Sequence, residues 1–277
     1  MDRLRWLDNF LFIMTLDLLR LHQKILEYCA LDQQCIFLLS APSGIGKTTY
    51  LNWLVALNLP GLEEQKRHAP VVVKIDAPLR NDTLKTLLQR MLLACGATYL
   101  RGDSEEDLLL KLDFYRQQSN VRLIIVDDAE HIPYAKMRNY LLYISSVVHD
   151  IPIICASTNP AAWAGGYKEI VGRWTDYVTL STYTGKRLRD LLVFFDMLLP
   201  FTKESGLFLA EVNAGTEVID GPAKLIEKWT GGILRDVVML LMHASRHAIK
   251  DDLPCLSPQL LEEAWKELQI ERVENFF

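Results

Sequence analysis

The first two thirds of the chain alternate between short apolar runs and longer amphipathic segments. Five runs are apolar almost throughout and rich in β-branched residues, as expected of strands buried on both faces of a parallel sheet. They are CIFLLSA (35–41), PVVVKIDA (70–77), VRLIIVDD (121–128), IPIICAST (151–158) and YVTLST (177–182). Helical periodicity fills the segments between them, at 48–58, 82–95, 105–117 and 134–149, and Asp82 is placed to cap the second helix. This alternation predicts an α/β domain built on a doubly wound parallel sheet.

The last third of the chain has a different pattern. Its apolar positions follow helical spacing and leave no convincing strand, with helices predicted at 184–199, 221–230, 233–250 and 258–269. An amphipathic helix also precedes the first apolar run. We therefore predict an N-terminal helical segment over 1–34, an α/β domain with five parallel strands over 35–183, and an all-helical C-terminal domain and tail over 184–277.

Composition restricts the possible classes of protein. The chain has 277 residues, of which 50% are hydrophobic and 23% charged, and this balance excludes disordered, collagen-like and coiled-coil proteins. A net charge of −5 gives no global sign of nucleic-acid binding, so such a function would need a local basic patch or an assembled surface. The five cysteines show no CxxC spacing, so they predict neither a disulfide framework nor a zinc site.

No apolar run reaches the ~20 residues that a bilayer span requires. The apolar N-terminal stretch is interrupted by Asp8 and Asp17, and no small-residue cleavage site follows it. Together with the unpaired cysteines, these features predict a protein of the reducing cytoplasm that has no membrane partner.

The strongest motif lies between the first predicted strand and the first predicted helix. SAPSGIGKTTY (40–50) matches a P-loop, GxxxxGK[ST], except that Ala41 stands at the first glycine. Glycines let the loop turn its N–H groups toward phosphates, while the following helix directs its positive dipole end at the same anion. Lys47 would reach the terminal phosphates and the Thr48 hydroxyl would ligate Mg²⁺. We predict that ATP binds Pro42, Ser43, Gly44, Ile45, Gly46, Lys47, Thr48 and Thr49. A small methyl at Ala41, where the chain is still leaving the strand, should be tolerated.

An acidic turn at the end of the third run supplies the second element of a nucleotide site. In LIIVDDAEH (123–131), Asp127 is the expected anchor for Mg²⁺. Asp128 stands where a water-activating glutamate usually follows, but it is one methylene shorter, and Glu130 is a possible substitute. One apolar run falls between the P-loop and this turn in sequence. It implies a sheet in which another strand separates the two elements in space, as in NTPases that activate water with an acid.

Three further polar positions follow in an order that suits NTP hydrolysis. Asn159, or alternatively Thr158, could hydrogen-bond the γ-phosphate or the attacking water. Arg173 could reach the γ-phosphate of a neighbouring subunit and neutralise transition-state charge. Arg235, at the start of a C-terminal helix, could fold over the nucleotide.

With these residues the chain resembles an AAA+ ATPase of the P-loop NTPase class, with a helical lid. Walker A would be 41–48, Walker B 123–128, sensor 1 near Asn159, the arginine-finger box around Arg173 and a GxxR-type sensor 2 at Arg235. More narrowly, it resembles the TniB/TnsC group of transposition regulators, which are relatives of MuB and IstB. The segments that carry this resemblance are PVVVKIDAP, LIIVDDAEHI, ICASTNPAAW followed by GRW and YVTL, and TGGILRDVVMLLMHASRHAI.

The resemblance implies an ATP-dependent homo-oligomer, ring-shaped or filamentous, on target double-stranded DNA. It also implies recruitment of a transposase and contact with a target-selection protein, which in some relatives is a CRISPR effector complex. The chain departs from the pattern at Ala41, at Asp128 and at Trp174, where Phe is common. Asp128 implies slow hydrolysis or a site that a partner completes.

Two regions offer candidate partner contacts. Lys85, Arg90 and Arg101, with Thr98 and Tyr99 as neutral phosphate partners, lie in the region that faces DNA in the relatives, although a solvated helix face explains the same charges. The terminal Phe276 and Phe277 resemble a partner-docking tail, or pack against the helical domain.

Two other interpretations remain open from the sequence. A signalling NTPase switch of the STAND type also carries an SGIGKTT loop and a VDD acidic pair, but such switches usually have long repeat or effector regions. A clamp-loader or helicase-loader subunit would share the fold and act in a fixed hetero-oligomer.

Overall fold

The computed structural model describes residues 15–31, 35–57, 72–77, 83–132, 134–148, 151–158, 175–214 and 217–274. These residues divide into two compact units. One lies within 15–42 and 47–180, and the other comprises 43–46 together with residues of 181–274. We call them the α/β unit and the helical unit.

The α/β unit alternates strands and helices as the apolar pattern predicts. Its elements are α1 (Leu16–Ala30), β1 (Ile36–Ser40), α2 (Lys47–Ala56), β2 (Val72–Asp76), α3 (Leu84–Ala94), α4 (Glu105–Gln118), β3 (Leu123–Asp127), a 3₁₀ turn (Ala129–His131), α5 (Tyr134–Val147), β4 (Ile153–Ser157) and β5 (Thr175–Thr179). Every residue of β1, β3 and β4 is buried, which explains why these runs lack polar alternation. The fifth strand begins two residues before its predicted start, because Thr175 and Asp176 also pair with β1.

The five strands form one parallel sheet in the order β2-β3-β4-β1-β5. The expected insertion is confirmed, since β4 lies between β1 and β3. The register pairs Ser40 with Ser157 on one side of β1, and pairs Asp76 with Asp127 across β2 and β3. The carboxyl ends of the strands therefore meet at one edge of the sheet, where ligands bind in open α/β sheets.

Polar side chains cap the helices of this unit. Ser104 and Asp107 form a capping box at the start of α4, in which each residue satisfies a backbone N–H of the other. The start of α3 corrects the sequence prediction, because Thr83, rather than Asp82, is the cap and accepts a hydrogen bond from the N–H of Thr86. Asp82 itself lies outside the described residues.

The helical unit contains the four helices that the periodicity predicts, and one hairpin that it does not. The helices are α6 (Gly185–Leu198), α7 (Pro222–Thr230), α8 (Leu234–Lys250) and α9 (Pro258–Glu274). Strands β6 (Glu211–Ala214) and β7 (Glu217–Asp220) pair antiparallel, so the expectation that no strand follows residue 183 is wrong at this place. Each strand has four residues and polar positions, and is too short and too polar to register as an apolar run.

The double glycine at 231–232 ends α7, as the sequence predicts. Gly231 has φ +59° and its N–H donates to the carbonyl of Glu227, which closes the helix. Gly232 lies against Tyr183, whose N–H donates to the Gly232 carbonyl at 2.8 Å. A Cβ at Gly232 would lie 2.0 Å from the Tyr183 oxygen, so this close approach requires glycine.

None of the five cysteines, all within the described residues, forms a disulfide, and four of them are buried. Within the part of the chain that the structure describes, no helix combines the length and the apolar character needed to cross a bilayer.

Candidate nucleotide site

The loop after β1 leaves the sheet through a buried alanine. Ala41 is fully buried, and its N–H donates to the carbonyl of Ser157 on β4 at 3.1 Å. The residue therefore continues the pairing of β1 with β4 before the loop turns away. A methyl group packs into the core at this position, which is why the departure from the glycine of the motif is compatible with the fold.

Two glycines give the loop its turn. Gly44 has φ +81° and Gly46 has φ +97°, a left-handed conformation that costs other L-residues about 1–2 kcal/mol. Gly44 also packs closely against the start of α8, which belongs to the same unit. A Cβ added at Gly44 would lie 2.8 Å from Ile233 Cγ2 and 3.1 Å from Arg235 Cβ. Both its backbone angle and its neighbours thus require glycine.

Lys47 is the first residue of α2 and is only 6% exposed. Its ammonium donates to the carbonyl of Ala41 at 2.7 Å and to that of Pro42 at 3.3 Å, both at the entrance of the loop. Burial lowers the pKa of Lys47, and the negative charges of Glu130, Asp127 and Asp128 act against that shift. The structure therefore brings the P-loop lysine and the acidic turn into one electrostatic cluster, in which Glu130 has the largest effect on Lys47 of the three acids.

Asp127 ends β3 at the same edge of the sheet and is 1% exposed. The Lys74 ammonium lies 3.1 Å from Asp127 Oδ2 and 3.2 Å from Asp76 Oδ1. Asp127 Oδ2 has no hydrogen-bond donor of good geometry among the described residues, so its contact with Lys74 is an ion pair without an aligned hydrogen bond. Burial lowers the pKa of Lys74, but its contacts with Asp127 and Asp76 outweigh burial and raise that pKa overall.

Sequence reasoning missed Lys74. The available signal was its charge inside PVVVKIDA, where the neighbouring positions are apolar. A charged group in a buried strand requires a partner, because an unpaired buried charge is costly. Only the pairing of β2 with β3 reveals that the partner is the acid expected to anchor Mg²⁺.

The two candidate bases differ in their surroundings. Asp128 has a left-handed backbone with φ +52°, is half-buried, and donates its N–H to Asp127 Oδ1 at 3.1 Å. Burial, followed by the charges of Asp127 and Glu130, raises the pKa of the Asp128 carboxyl. The Asp128 carboxyl is therefore harder to ionise than that of a free aspartate.

Glu130 lies in the 3₁₀ turn, and the Thr158 hydroxyl donates to its Oε1. Burial raises the pKa of Glu130, but the hydrogen bonds from Thr158 and the backbone, together with the charge of Lys47, outweigh burial and lower it overall. Its other oxygen, Oε2, is buried without a hydrogen-bond partner in the described part of the chain. Thr158 therefore orients Glu130, and one carboxylate oxygen remains available for a further contact.

The three remaining sequence candidates have different outcomes. Asn159 and Arg173 lie outside the described residues, as does Trp174. Arg235 lies within the helical unit, where its backbone N–H donates to the carbonyl of Gly44 at 2.8 Å. Its side chain is 56% exposed, with Nε 3.3 Å from Asp236 Oδ1. The GxxR arginine and the tip of the P-loop are thus in direct contact.

The candidate DNA contacts separate into two groups. The Lys85 ammonium donates to the carbonyl of Arg101 at 3.4 Å. Arg101 is exposed, as is Thr98, three residues before it in the chain. Arg90 instead donates to the carbonyl of Asp76 at 3.0 Å, at the end of β2. Lys85 and Arg101 are therefore neighbours on the surface, whereas Arg90 is engaged at the end of the strand that carries Lys74.

The oxygen donors present fit a magnesium ion. Asp127 supplies a buried carboxylate whose Oδ2 lacks an aligned donor, and the exposed Thr48 hydroxyl follows Lys47 at the start of α2. Hard oxygen ligands of this kind suit Mg²⁺, which usually keeps several waters and binds one or two carboxylates and the substrate phosphates.

The comparisons with known proteins agree with this arrangement. Residues 31–162 match the family model described as the AAA domain. Among solved structures, Drosophila ORC bound to DNA has 12% identity and a TM-score of 0.65, covering 96% of this chain and 65% of that chain. Aeropyrum pernix ORC1 in complex with DNA has 16% identity and a TM-score of 0.57, covering 92% and 66%. A Thermotoga maritima RuvB variant has 14% identity and a TM-score of 0.54, covering 90% and 67%.

No curated protein sequence matches this chain. The chain spans about two thirds of the length of the solved structures, 65% and 66% for the two ORC structures. At such low identity these similarities establish the fold alone. This chain therefore has the AAA+ P-loop NTPase fold, with an AAA domain matched over residues 31–162.

Proposed function

We propose that this protein is a Mg²⁺-dependent ATPase that assembles with copies of itself on double-stranded DNA. The observation that carries the proposal is the charge cluster in the α/β unit, in which the buried Lys47 ammonium lies in the field of Glu130, Asp127 and Asp128. A buried cation beside converging acids, at the carboxyl edge of a parallel sheet, suits a triphosphate with its metal.

Three residues of this cluster, Lys47, Asp127 and Glu130, have chemical roles in the proposal. Backbone N–H groups of residues 43–49 bind the phosphates, and Lys47 offsets the charge of the terminal ones. Thr48 and Asp127 hold Mg²⁺, which supplies charge neutralisation when it is bound. Glu130, oriented by the hydrogen bond from the Thr158 hydroxyl, is the group that accepts a proton from the attacking water.

The two arginines complete the proposal. Arg235 senses the nucleotide, because its backbone already contacts Gly44 and its side chain is largely exposed. Arg173 acts in trans on the γ-phosphate of a neighbouring protomer, a role that rests on its sequence position before β5. Such a contribution from a second copy makes hydrolysis depend on assembly.

DNA contacts are proposed for the surface around Lys85, Thr98 and Arg101. Two structures that share this fold, those of Drosophila ORC and Aeropyrum pernix ORC1, contain DNA. Few phosphate contacts per protomer suffice in an oligomer, since each copy repeats them along the duplex. This offsets the net charge of −5 of the single chain.

The finer role that we propose is regulation of DNA transposition in the cytoplasm. It rests on the sequence resemblance to the TniB/TnsC group, above all on LIIVDDAEHI and TGGILRDVVMLLMHASRHAI. In this role the assembled protein recruits a transposase to DNA chosen by a target-selection protein or a CRISPR effector complex. The segment with Phe276 and Phe277 lies outside the described residues and is a candidate docking segment.

The deciding experiment images the purified full chain with ATP, with a slowly hydrolysed analogue, or without nucleotide, in each case with and without duplex DNA. Rings or filaments that require both nucleotide and DNA support the proposal. A protein that stays monomeric and indifferent to DNA would overturn it and favour a switch of the STAND type. A fixed assembly that forms only with other subunits would favour a loader.

Two variants connect the experiment to the nucleotide site. Lys47→Ala should abolish nucleotide-dependent assembly, and tight ATP binding by this variant would contradict the loop assignment. Arg173→Ala should leave the ATP affinity of the monomer nearly intact and impair assembly or turnover. An unchanged ATPase rate at high protein concentration would exclude a role in trans.

DNA binding has a charge-matched control. Replacing Lys85 and Arg101 by Gln should reduce the slope of log affinity for DNA against log salt concentration by about 1 for each cation removed. Lys186→Gln combined with Lys250→Gln removes the same charge from the helical unit and should not change it. Equal effects in both double variants would refute the proposed DNA surface.

A further inference from the structure

Two histidines and one glutamate converge in the helical unit, away from the residues of the nucleotide cluster in sequence. His243 and His247 lie one turn apart on α8, and Glu267 lies on α9. The Nε2 atoms of His243 and His247 lie 2.7 Å and 3.0 Å from the same oxygen, Glu267 Oε2. The three ligand atoms all fall within 4.8 Å of one another.

The packing of two helices places these side chains. Residues four apart share a helix face, so both imidazoles of α8 point the same way. On α9, Ala264 and Leu268 lie close to Glu267 in sequence and are buried, so this part of the helix packs against the core of the unit. The stacked rings of Trp229 and Trp265, 6.4 Å apart, join α9 to α7 as well. The ligands therefore extend from rigid elements rather than from a loop.

The cluster is open on one side. The exposed fractions of the side chains are 17% for His243, 37% for His247 and 48% for Glu267. A small ion could therefore enter from solvent, and a water molecule could complete its coordination.

We propose that His243, His247 and Glu267 form a binding site for a divalent transition-metal ion, with Zn²⁺ as the best-suited ion. Zinc bonds to His nitrogen and carboxylate oxygen at about 2.0–2.2 Å, so ligands at tetrahedral angles lie about 3.3 Å apart. In a bound state the two observed distances of 2.7 Å and 3.0 Å would open to about 3.3 Å, and the two Nε2 atoms, which lie within 4.8 Å of each other, would take the same spacing. Both imidazoles bind through neutral Nε2, so any bound proton leaves as the metal enters.

The ion would join α8 to α9 and stabilise the helical unit. This function is independent of nucleotide hydrolysis and of the proposed role on DNA. Without a metal, the same three groups would act only as a hydrogen-bonded cluster between the two helices. The two possibilities differ in one measurable property, which is saturable metal binding by the folded protein.

The test uses the full chain without a polyhistidine tag. Zn²⁺ is titrated against a chromophoric chelator, and Co²⁺ is added separately to record its visible absorption. We expect saturation at one ion per chain, the intense Co²⁺ bands of a four-coordinate site, and a higher thermal midpoint with Zn²⁺ than with a chelator.

Ligand variants assign the binding to this cluster. H243Q, H247Q and E267Q should each weaken Zn²⁺ binding by about tenfold or more, since even the loss of an outer contact to a metal ligand costs that much. E263Q is the matched control, because it removes an exposed carboxylate one turn earlier on α9.

Two outcomes would overturn the proposal. One is the absence of saturable Zn²⁺ binding by the wild-type protein, which would leave a hydrogen-bonded cluster only. The other is Zn²⁺ binding that H243Q, H247Q and E267Q leave as tight as E263Q does, which would place the ion elsewhere on the chain.

Discussion

The tip of the P-loop offers a quantitative test of the contact between Gly44 and the start of α8. Gly44→Ala introduces a Cβ at φ +81°, 2.8 Å from Ile233 Cγ2 and 3.1 Å from Arg235 Cβ. A left-handed backbone costs an alanine about 1–2 kcal/mol, and the stiffer unfolded chain returns about 0.4–1 kcal/mol of that. Overpacking adds about 1–3 kcal/mol. We expect the free energy of unfolding to fall by about 2–4 kcal/mol.

Gly96 provides the matched control. Its φ is +77°, nearly that of Gly44, but an added Cβ would meet nothing within 4 Å. Gly96→Ala therefore measures the backbone cost alone, about 1 kcal/mol. The difference between the two variants isolates the steric contact with Ile233 and Arg235.

Urea denaturation followed by circular dichroism measures both variants, and nucleotide affinity is recorded in parallel. Combining Gly44→Ala with Ile233→Ala should cost less than the sum of the two single variants, because Ile233→Ala removes the obstructing Cγ2 methyl. If Gly44→Ala destabilises the protein no more than Gly96→Ala does, the loop and α8 are not in contact in solution. That result would refute the packing of Gly44 against Ile233 and Arg235, and with it the proposed sensing role of Arg235.

Two further predictions concern the acidic edge of the sheet. Lys74→Met strands the buried Asp127 carboxylate and should lower the free energy of unfolding by about 3 kcal/mol, whereas Asp76→Asn, at the exposed end of the pair, should cost less than about 1 kcal/mol. Folding raises the pKa of Lys74, so wild type should exceed Lys74→Met in free energy of unfolding by the full amount below about pH 10.4. This difference should disappear as the pH rises through the pKa of Lys74 in the folded protein. A difference that does not change with pH would contradict the ion pair. Glu130→Gln should reduce ATP turnover by about 10²–10⁴-fold with ATP binding retained, and Asp128→Asn by less than tenfold. The reverse order of losses would assign the base to Asp128.

Much of the fold was predictable because its signals are local. Strands buried on both faces leave uninterrupted apolar runs, and the GKT sequence after such a run predicts a phosphate loop wherever it occurs. The order of motifs along the chain was also sufficient to place a strand between β1 and β3. These features depend on side chains within a few residues of one another, or on the handedness of strand–helix–strand connections.

The sequence-based prediction was wrong for a short polar hairpin and for one helix cap. The β6–β7 hairpin has only four residues in each strand, so its pairing rather than its apolar pattern defines it. At the start of α3 two capping residues compete one position apart, and the backbone conformation of Thr83 decides between them. Such choices depend on hydrogen bonds that form only once the neighbouring segments are in place.

Contacts between distant positions were decided by tertiary structure alone. Lys74 meets Asp127 because β2 pairs with β3 in a particular register, and Thr158 meets Glu130 because β4 lies beside β3. The spacing of His243 and His247 is visible in the sequence, but only the packing of α9 on α8 brings a carboxylate to both rings. Composition and periodicity carry no information on which distant side chains share a few ångströms, because that depends on how whole elements pack.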